Sequence, residues 1–141
     1  MTEVGIQEIL INRFQKLNEF SGINFLTDNN VMYPNQVITI PADKRWFELY
    51  FMSNEPKPIT AFNDEYGLNS YTGYLQIDIC TPLDKGETEP NTKYEWINKL
   101  FKMGDNYGDV SILSCQRIKQ TKENDHYVTK VKVSFEAVTD R

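Results

Sequence analysis

Apolar residues recur at helical spacing near the start of the chain, at Ile6, Ile9, Leu10, Phe14 and Leu17, with Glu8, Asn12, Gln15 and Lys16 on the opposite side. With Thr2 as N-cap and Gly22 near the end, this pattern predicts an amphipathic helix of about four turns. Residues 23–41 break the pattern. Asp28, Asn29, Asn30, Pro34, Asn35 and Pro41 punctuate short apolar pieces such as Val31-Met32-Tyr33 and Val37-Ile38, which reads as an extended lead-in. Residues 45–52 then predict a strand, in which Phe47, Leu49 and Phe51 alternate against Trp46, Glu48 and Tyr50. Residues 53–69 hold Pro56, Pro58, Asn63, Asp64, Gly67 and Asn69, a turn-rich composition that cannot sustain a long ladder.

The cleanest alternation runs over 71–81, with Leu75, Ile77 and Ile79 on one face and Tyr74, Gln76 and Asp78 on the other. A loop over 82–89 leads to a second helix, capped by Thr88 or Asn91, that carries Tyr94, Ile97, Leu100 and Phe101 inward and stops before Gly104. After the turn at 104–108, residues 110–119 and 126–138 predict a hairpin. In its last strand Tyr127, Val131, Val133, Phe135 and Ala137 share one face, and Lys130, Lys132, Ser134 and Glu136 the other, so one side packs and one is wet. The order helix, strand, strand, helix, strand, strand predicts an α+β fold. Its expected form is a two-layer sandwich with a roughly four-stranded, mainly antiparallel sheet and both amphipathic helices on one face. A chain of 141 residues is read as one domain spanning 1–141.

Composition narrows the function. The chain is 40% hydrophobic and 25% charged, which suits a folded core rather than disorder. Its net charge of -5 argues against a freely diffusing nucleic-acid binder, which gains affinity by neutralising phosphates. Glu3 and Glu8 stand where a signal peptide needs positive charge, and no apolar run has membrane-spanning length, so the expectation is a chain made and kept in a cytoplasm, with no membrane partner. Cys80 and Cys115 lie far apart in strand-like segments and read as buried thiols.

Candidate chemistry is sparse. The single histidine, His126, sits beside Asp125 at a hairpin edge, reads as a solvated turn residue, and has no nucleophile motif near it. One histidine and two distant cysteines cannot fill a tetrahedral zinc site, and the sequence around Asp105 and Asp109 lacks the ligand alternation and distal Glu of a calcium loop. Asp84, Glu87 and Glu89 share one loop, where carboxylates are ordinarily solvated. No catalytic residue, metal or cofactor is expected. The basic residues Arg117, Lys119, Lys122, Lys130 and Lys132 fall on the last hairpin and invite two readings. One is a basic strip facing a lumen or an acidic partner, and the other is a set of lysines that guard strand edges against aggregation.

Several segments together resemble the tail terminator (tail completion) family of bacteriophages. They are the opening helix with Asn30-Val31-Met32-Tyr33-Pro34 after it, the aromatic strand Trp46-Phe47-Glu48-Leu49-Tyr50, and Tyr71-Thr72-Gly73-Tyr74-Leu75-Gln76-Ile77-Asp78-Ile79 followed by Pro82 and Gly86. The resemblance covers nearly the whole chain through order and spacing of short motifs, and departs from the family pattern over residues 53–69. It implies a structural protein, not an enzyme, that forms a hexameric ring at the head-proximal end of the virion tail after assembly in the host cytoplasm. Such a ring binds the last ring of tail tube protein, stops tube growth and offers a surface to head-tail connector proteins. On this reading Trp46, Tyr50, Tyr66, Tyr71 and Tyr74 are candidate subunit or tube contacts, since aromatics are enriched where surfaces associate. The basic residues are candidates for facing a lumen, with a passing contact to DNA, or a partner. Alternatives are a neck or head-tail connector protein, a free-standing binding module that recognises an acidic partner through the basic hairpin, and a small hydrolase or nucleic-acid-processing domain using the Asp84, Glu87 and Glu89 loop or His126.

Overall fold

The computed structural model describes residues 3–22, 26–27, 29–54, 56–58 and 68–140. The expected N-cap Thr2, Tyr66, and the loop residues Asn63, Asp64 and Gly67 lie outside these.

The N-terminal helical pattern forms α1 (Glu3–Phe14) and α2 (Leu17–Ser21), two segments where the periodicity predicted one continuous helix. Ile6, Leu10 and Phe14 of α1 and Leu17 of α2 are fully buried in one core, so the apolar stripe continues across the break. Gly22 ends the arm with φ 76°, a left-handed turn that glycine adopts freely, and its N–H donates to Asn18 O at 3.1 Å. The lead-in supplies β1 (Val31–Met32), the aromatic segment β2 (Trp46–Ser53) and the following loop β3 (Lys57–Pro58). β4 (Leu68–Pro82) leads to α3 (Thr88–Leu100), and β5 (Asn106–Tyr107), β6 (Val110–Lys122) and β7 (His126–Asp140) complete the chain.

These strands form one sheet in the order β1-β2-β4-β7-β6-β5, with β3 paired to β4 off that path. The expected roughly four-stranded, mainly antiparallel sandwich is therefore corrected. Six strands follow one path, the sheet is mixed because β1 runs parallel to β2, and it curls into a half-barrel. Two physical causes account for the difference. Short apolar pieces in the lead-in and the turn at 104–108 pair onto strand ends that would otherwise be bare, and strands of 13 to 15 residues accumulate enough twist to coil the sheet. The α+β class itself holds.

The concave, helix-covered side carries the core. Phe47, Leu49, Leu75, Ile77, Ile79, Val131, Val133, Phe135 and Ala137 meet Ile6, Leu10, Phe14, Ile97, Leu100 and Phe101 in one buried cluster. Phe14 meets Phe47 edge-on at 5.6 Å, and Phe51 stacks on Phe135 at 5.6 Å. The end of α3 is fastened to α1, because Arg13 Nε and the Tyr107 hydroxyl both donate to Leu100 O, at 3.2 and 2.7 Å. A cation at that position also complements the negative end of the helix. At the other end of α3, Glu89 accepts from Arg45 Nε at 2.6 Å and pairs with Lys93 Nζ at 3.5 Å, tying the helix to the start of β2. Neither expected cap is used: Thr88 is already helical, and the cap position is Glu87, whose side chain makes no cap bond.

Candidate functional site

Among the described residues the second face of the sheet carries no helix, although Ile38 of the lead-in packs against its Trp46 end, and its side chains follow from the strand register. Opposed residues on β2, β4, β7 and β6 form rows across it. One row is Trp46, Cys80, Val128 and Thr121, and the next is Glu48, Asp78, Lys130 and Lys119. Then come Tyr50, Gln76, Lys132 and Gln116, followed by Met52, Tyr74, Ser134 and Ser114. The charged row therefore reads acid, acid, base, base from the β2 side to the β6 side.

Local bonds hold this face in place. Glu48 accepts from Trp46 Nε1 at 3.0 Å and from the Tyr50 hydroxyl at 2.6 Å, and the latter bond raises the Tyr50 pKa well above its ordinary value. Gln76 donates to Asp78 at 2.9 Å, and Lys132 lies 4.5 Å above the Tyr74 ring. Trp46 is 3% exposed, packed with Cys80 and Val128 and tilted against His126 at 4.6 Å. His126 Nδ1 lies 2.7 Å from Asp125 Oδ1, so the histidine read as a solvated turn residue is half-buried against the indole. Bonds from His126 and Lys44 hold the Asp125 carboxyl below the usual carboxylate range.

The candidate aromatics thus take different stations. Tyr50 is half-exposed and Tyr74 partly so on the bare face, Trp46 is on that face but covered, and Tyr71 packs against the main core on the other side. Tyr66 lies outside the described residues. The basic strip is divided by the pleat. Lys119, Lys130 and Lys132 share the bare face, whereas Arg117 pairs with Val131 and Lys122 with Tyr127 on the helix side. Arg117 there donates to Asn91 Oδ1 at 2.6 Å and lies 5.1 Å over the Tyr94 ring. The dividing element is a pair of register shifts in β6, at Ile112/Ser114 and Arg117/Lys119, which reverse the alternation and leave Leu113 and Ile118 exposed.

No catalytic constellation forms from the loop acids. Glu87 accepts from the Tyr127 hydroxyl at 3.1 Å, Glu89 is taken by Arg45 and Lys93, and Asp84 is exposed in a turn. Among the described residues no group of three or more His, Cys, Asp or Glu side chains is arranged to hold a metal ion. Burial pushes the Cys115 thiol up to about 12 and the Cys80 thiol higher still, so both are poor nucleophiles at neutral pH.

Asp78 is the carboxyl buried on this face, at 5% exposure. Burial raises its pKa above the ordinary 3.8, with Glu48 adding to the rise, while the Gln76 bond and Lys130 oppose it. The folded chain accordingly holds this proton more tightly than the unfolded chain. The contribution to stability is full below about 3.8 and declines as pH rises through the raised folded-state value. Asp78→Asn is expected to flatten that decline and raise Tm at neutral pH. Thermal melts across the acid range check it, and an unchanged profile contradicts it.

Among the described residues the sheet thus has one face packed under helices and the other polar and aromatic. Comparison with known proteins gives the chain a family. The family model described as "Phage tail terminator protein" matches residues 6–135, and the chain belongs to that family. It is therefore a structural protein of a bacteriophage tail. A search of the curated proteins found no match. Fifteen solved chains match this chain in structure. One of them, titled only by a sequence identifier, aligns at 16% identity with a TM-score of 0.65, over 93% of this chain and 94% of its own.

Proposed function

We propose that this protein, acting as one domain over 1–141, is the subunit of a ring that caps the phage tail tube at its head-proximal end. The ring stops tube polymerisation and presents its other side to the head-tail connector proteins. The family match over residues 6–135 carries the reading. It is supported by the bare sheet face, where Tyr50 and Met52 remain about half exposed beside the charged row. Six copies are taken as the ring size from the resemblance to the family, and assembly takes place in the host cytoplasm. Tail tube protein is the direct partner of one ring face. Lys119, Lys130 and Lys132 are the basic residues available to meet either a partner or DNA passing through the lumen, since they share one face.

The length of tail tubes in an infection lacking the protein tests termination directly. Overlong, heterogeneous tubes that return to one length when the protein is supplied are expected. Tubes of normal length that fail to join heads would contradict termination and favour the connector reading.

A further inference from the structure

Among the described residues both long edges of the sheet are open over part of their length. Among the described residues β1 covers β2 only at Phe47 and Glu48, leaving Leu49–Ser53 without a strand on that side. β5 covers β6 only at Val110 and Ser111, and Ile112 is bonded to Gly104 and Asp105, so among the described residues 114–122, paired with β7 on one side, has no strand on the other. Open strand edges present rows of backbone donors and acceptors that natural proteins cover or use. Of the five large apolar residues exposed on the described strands, four lie on these two edge strands, Tyr50 and Met52 on β2 and Leu113 and Ile118 on β6, and the fifth is Val138 on β7.

Three observations say what covers them. The long strands β2, β4, β7 and β6 alternate in direction, so the two outer ones run opposite ways. A second copy set beside the first in the same orientation therefore meets it antiparallel, continuing the alternation without a break. The charged row reads Glu48, Asp78, Lys130, Lys119, which makes the β2 side acidic and the β6 side basic. Over 114–122 there are three basic residues and no acid, and over 46–53 one acid and no base. A two-fold pairing of β6 with itself would instead set this basic segment against its own copy, which like-charge repulsion disfavours.

We infer that the β6 edge of one copy pairs with the β2 edge of the next copy of this chain, head to tail, with Lys119 opposite Tyr50. The inference rests on the ring reading and names its subunit contact. Glu48, which already accepts the Tyr50 hydroxyl, is then the diagonal neighbour of Lys119, within reach of a long side chain. The same diagonal arrangement exists inside the sheet, where Lys132 lies over Tyr74 while pairing in register with Gln76. A head-to-tail contact of this kind closes into a ring when its rotation divides the circle.

Cysteines placed at Tyr50 and Lys119 test the contact in the full chain. Under mild oxidation the Y50C/K119C protein is expected to give a ladder of covalent multimers ending at the ring, and each single variant no species beyond a dimer. The native thiols are buried and half-buried with raised pKa values, so they stay silent at mildly alkaline pH. Lys119→Glu, an exposed substitution, is expected to weaken assembly about tenfold without lowering Tm. Rings that form normally yet give no ladder, or that are indifferent to Lys119→Glu, overturn the edge contact and leave the ring reading standing. A parent protein that never assembles, even with tail tubes added, overturns both.

Discussion

Gly73→Ala is expected to destabilise the protein by about 3 kcal/mol, the upper part of the range for forcing an extra methyl into a packed site. Glycine to alanine inside a strand ordinarily stabilises, because it restricts the unfolded chain and gives the strand a side chain to pack. Here the sign reverses. A Cβ at 73 would run into the Met52 carbonyl oxygen and come within 2.9 Å of Ser53 Cα and 3.0 Å of Phe135 Cζ. Two of those three atoms are backbone of the neighbouring strand and cannot swing away. The bare α-carbon is also what lets Phe51 of β2 and Phe135 of β7 meet across β4, which lies between them. Thermal or urea unfolding reads the loss, and a variant as stable as the parent contradicts the account.

Phe135→Ala is expected to cost about 4 kcal/mol, the middle of the range for deleting a buried phenylalanine. Phe135 is fully buried, stacks on Phe51, and sits opposite Gly73 on one side and Ile112 on the other. Its removal leaves a hole that glycine cannot fill and that β-strands on both sides hold open. For a domain of this size the corresponding fall in Tm is about 15 °C. Against a total stability of about 5–15 kcal/mol, that loss is about a quarter of the whole or more. A fall of less than about 5 °C would show that the site collapses and that the aromatic pair is not a centre of the core.

Strong, uninterrupted periodicity was legible without a structure. The alternation of Leu75, Ile77 and Ile79 and the last strand with Val131, Val133, Phe135 and Ala137 face the core as expected, and α3 buries Ile97, Leu100 and Phe101. The two-residue strands β1, β3 and β5 were not legible, because each exists through pairing with a distant strand and carries no period of its own. The N-terminal arm keeps its apolar stripe through the break between α1 and α2, so periodicity alone could not see the break.

The candidate site shows the same limit more sharply. Arg117 and Lys119 are two residues apart and would share a face in a regular strand, yet the register shift between them sends one to Asn91 and the other to the bare face. A bulge has no period, and Ile118, exposed at that shift, shows its position only once the strands are paired. Trp46 alternates correctly with Glu48 and Tyr50, but its burial depends on Cys80 of β4, Val128 and His126 of β7 and Ile38 of the lead-in, all brought beside it by the fold. The acid-to-base row across four strands likewise emerges only from register, since its members are scattered from position 48 to position 130 in the chain.

Oligomeric mass by light scattering over a range of protein concentrations, with negative-stain images of any large species, tests the central claim most directly. A closed ring with a central hole, formed alone or on added tail tubes, is the result predicted. A protein that remains monomeric at every concentration and leaves tube ends uncapped would contradict it.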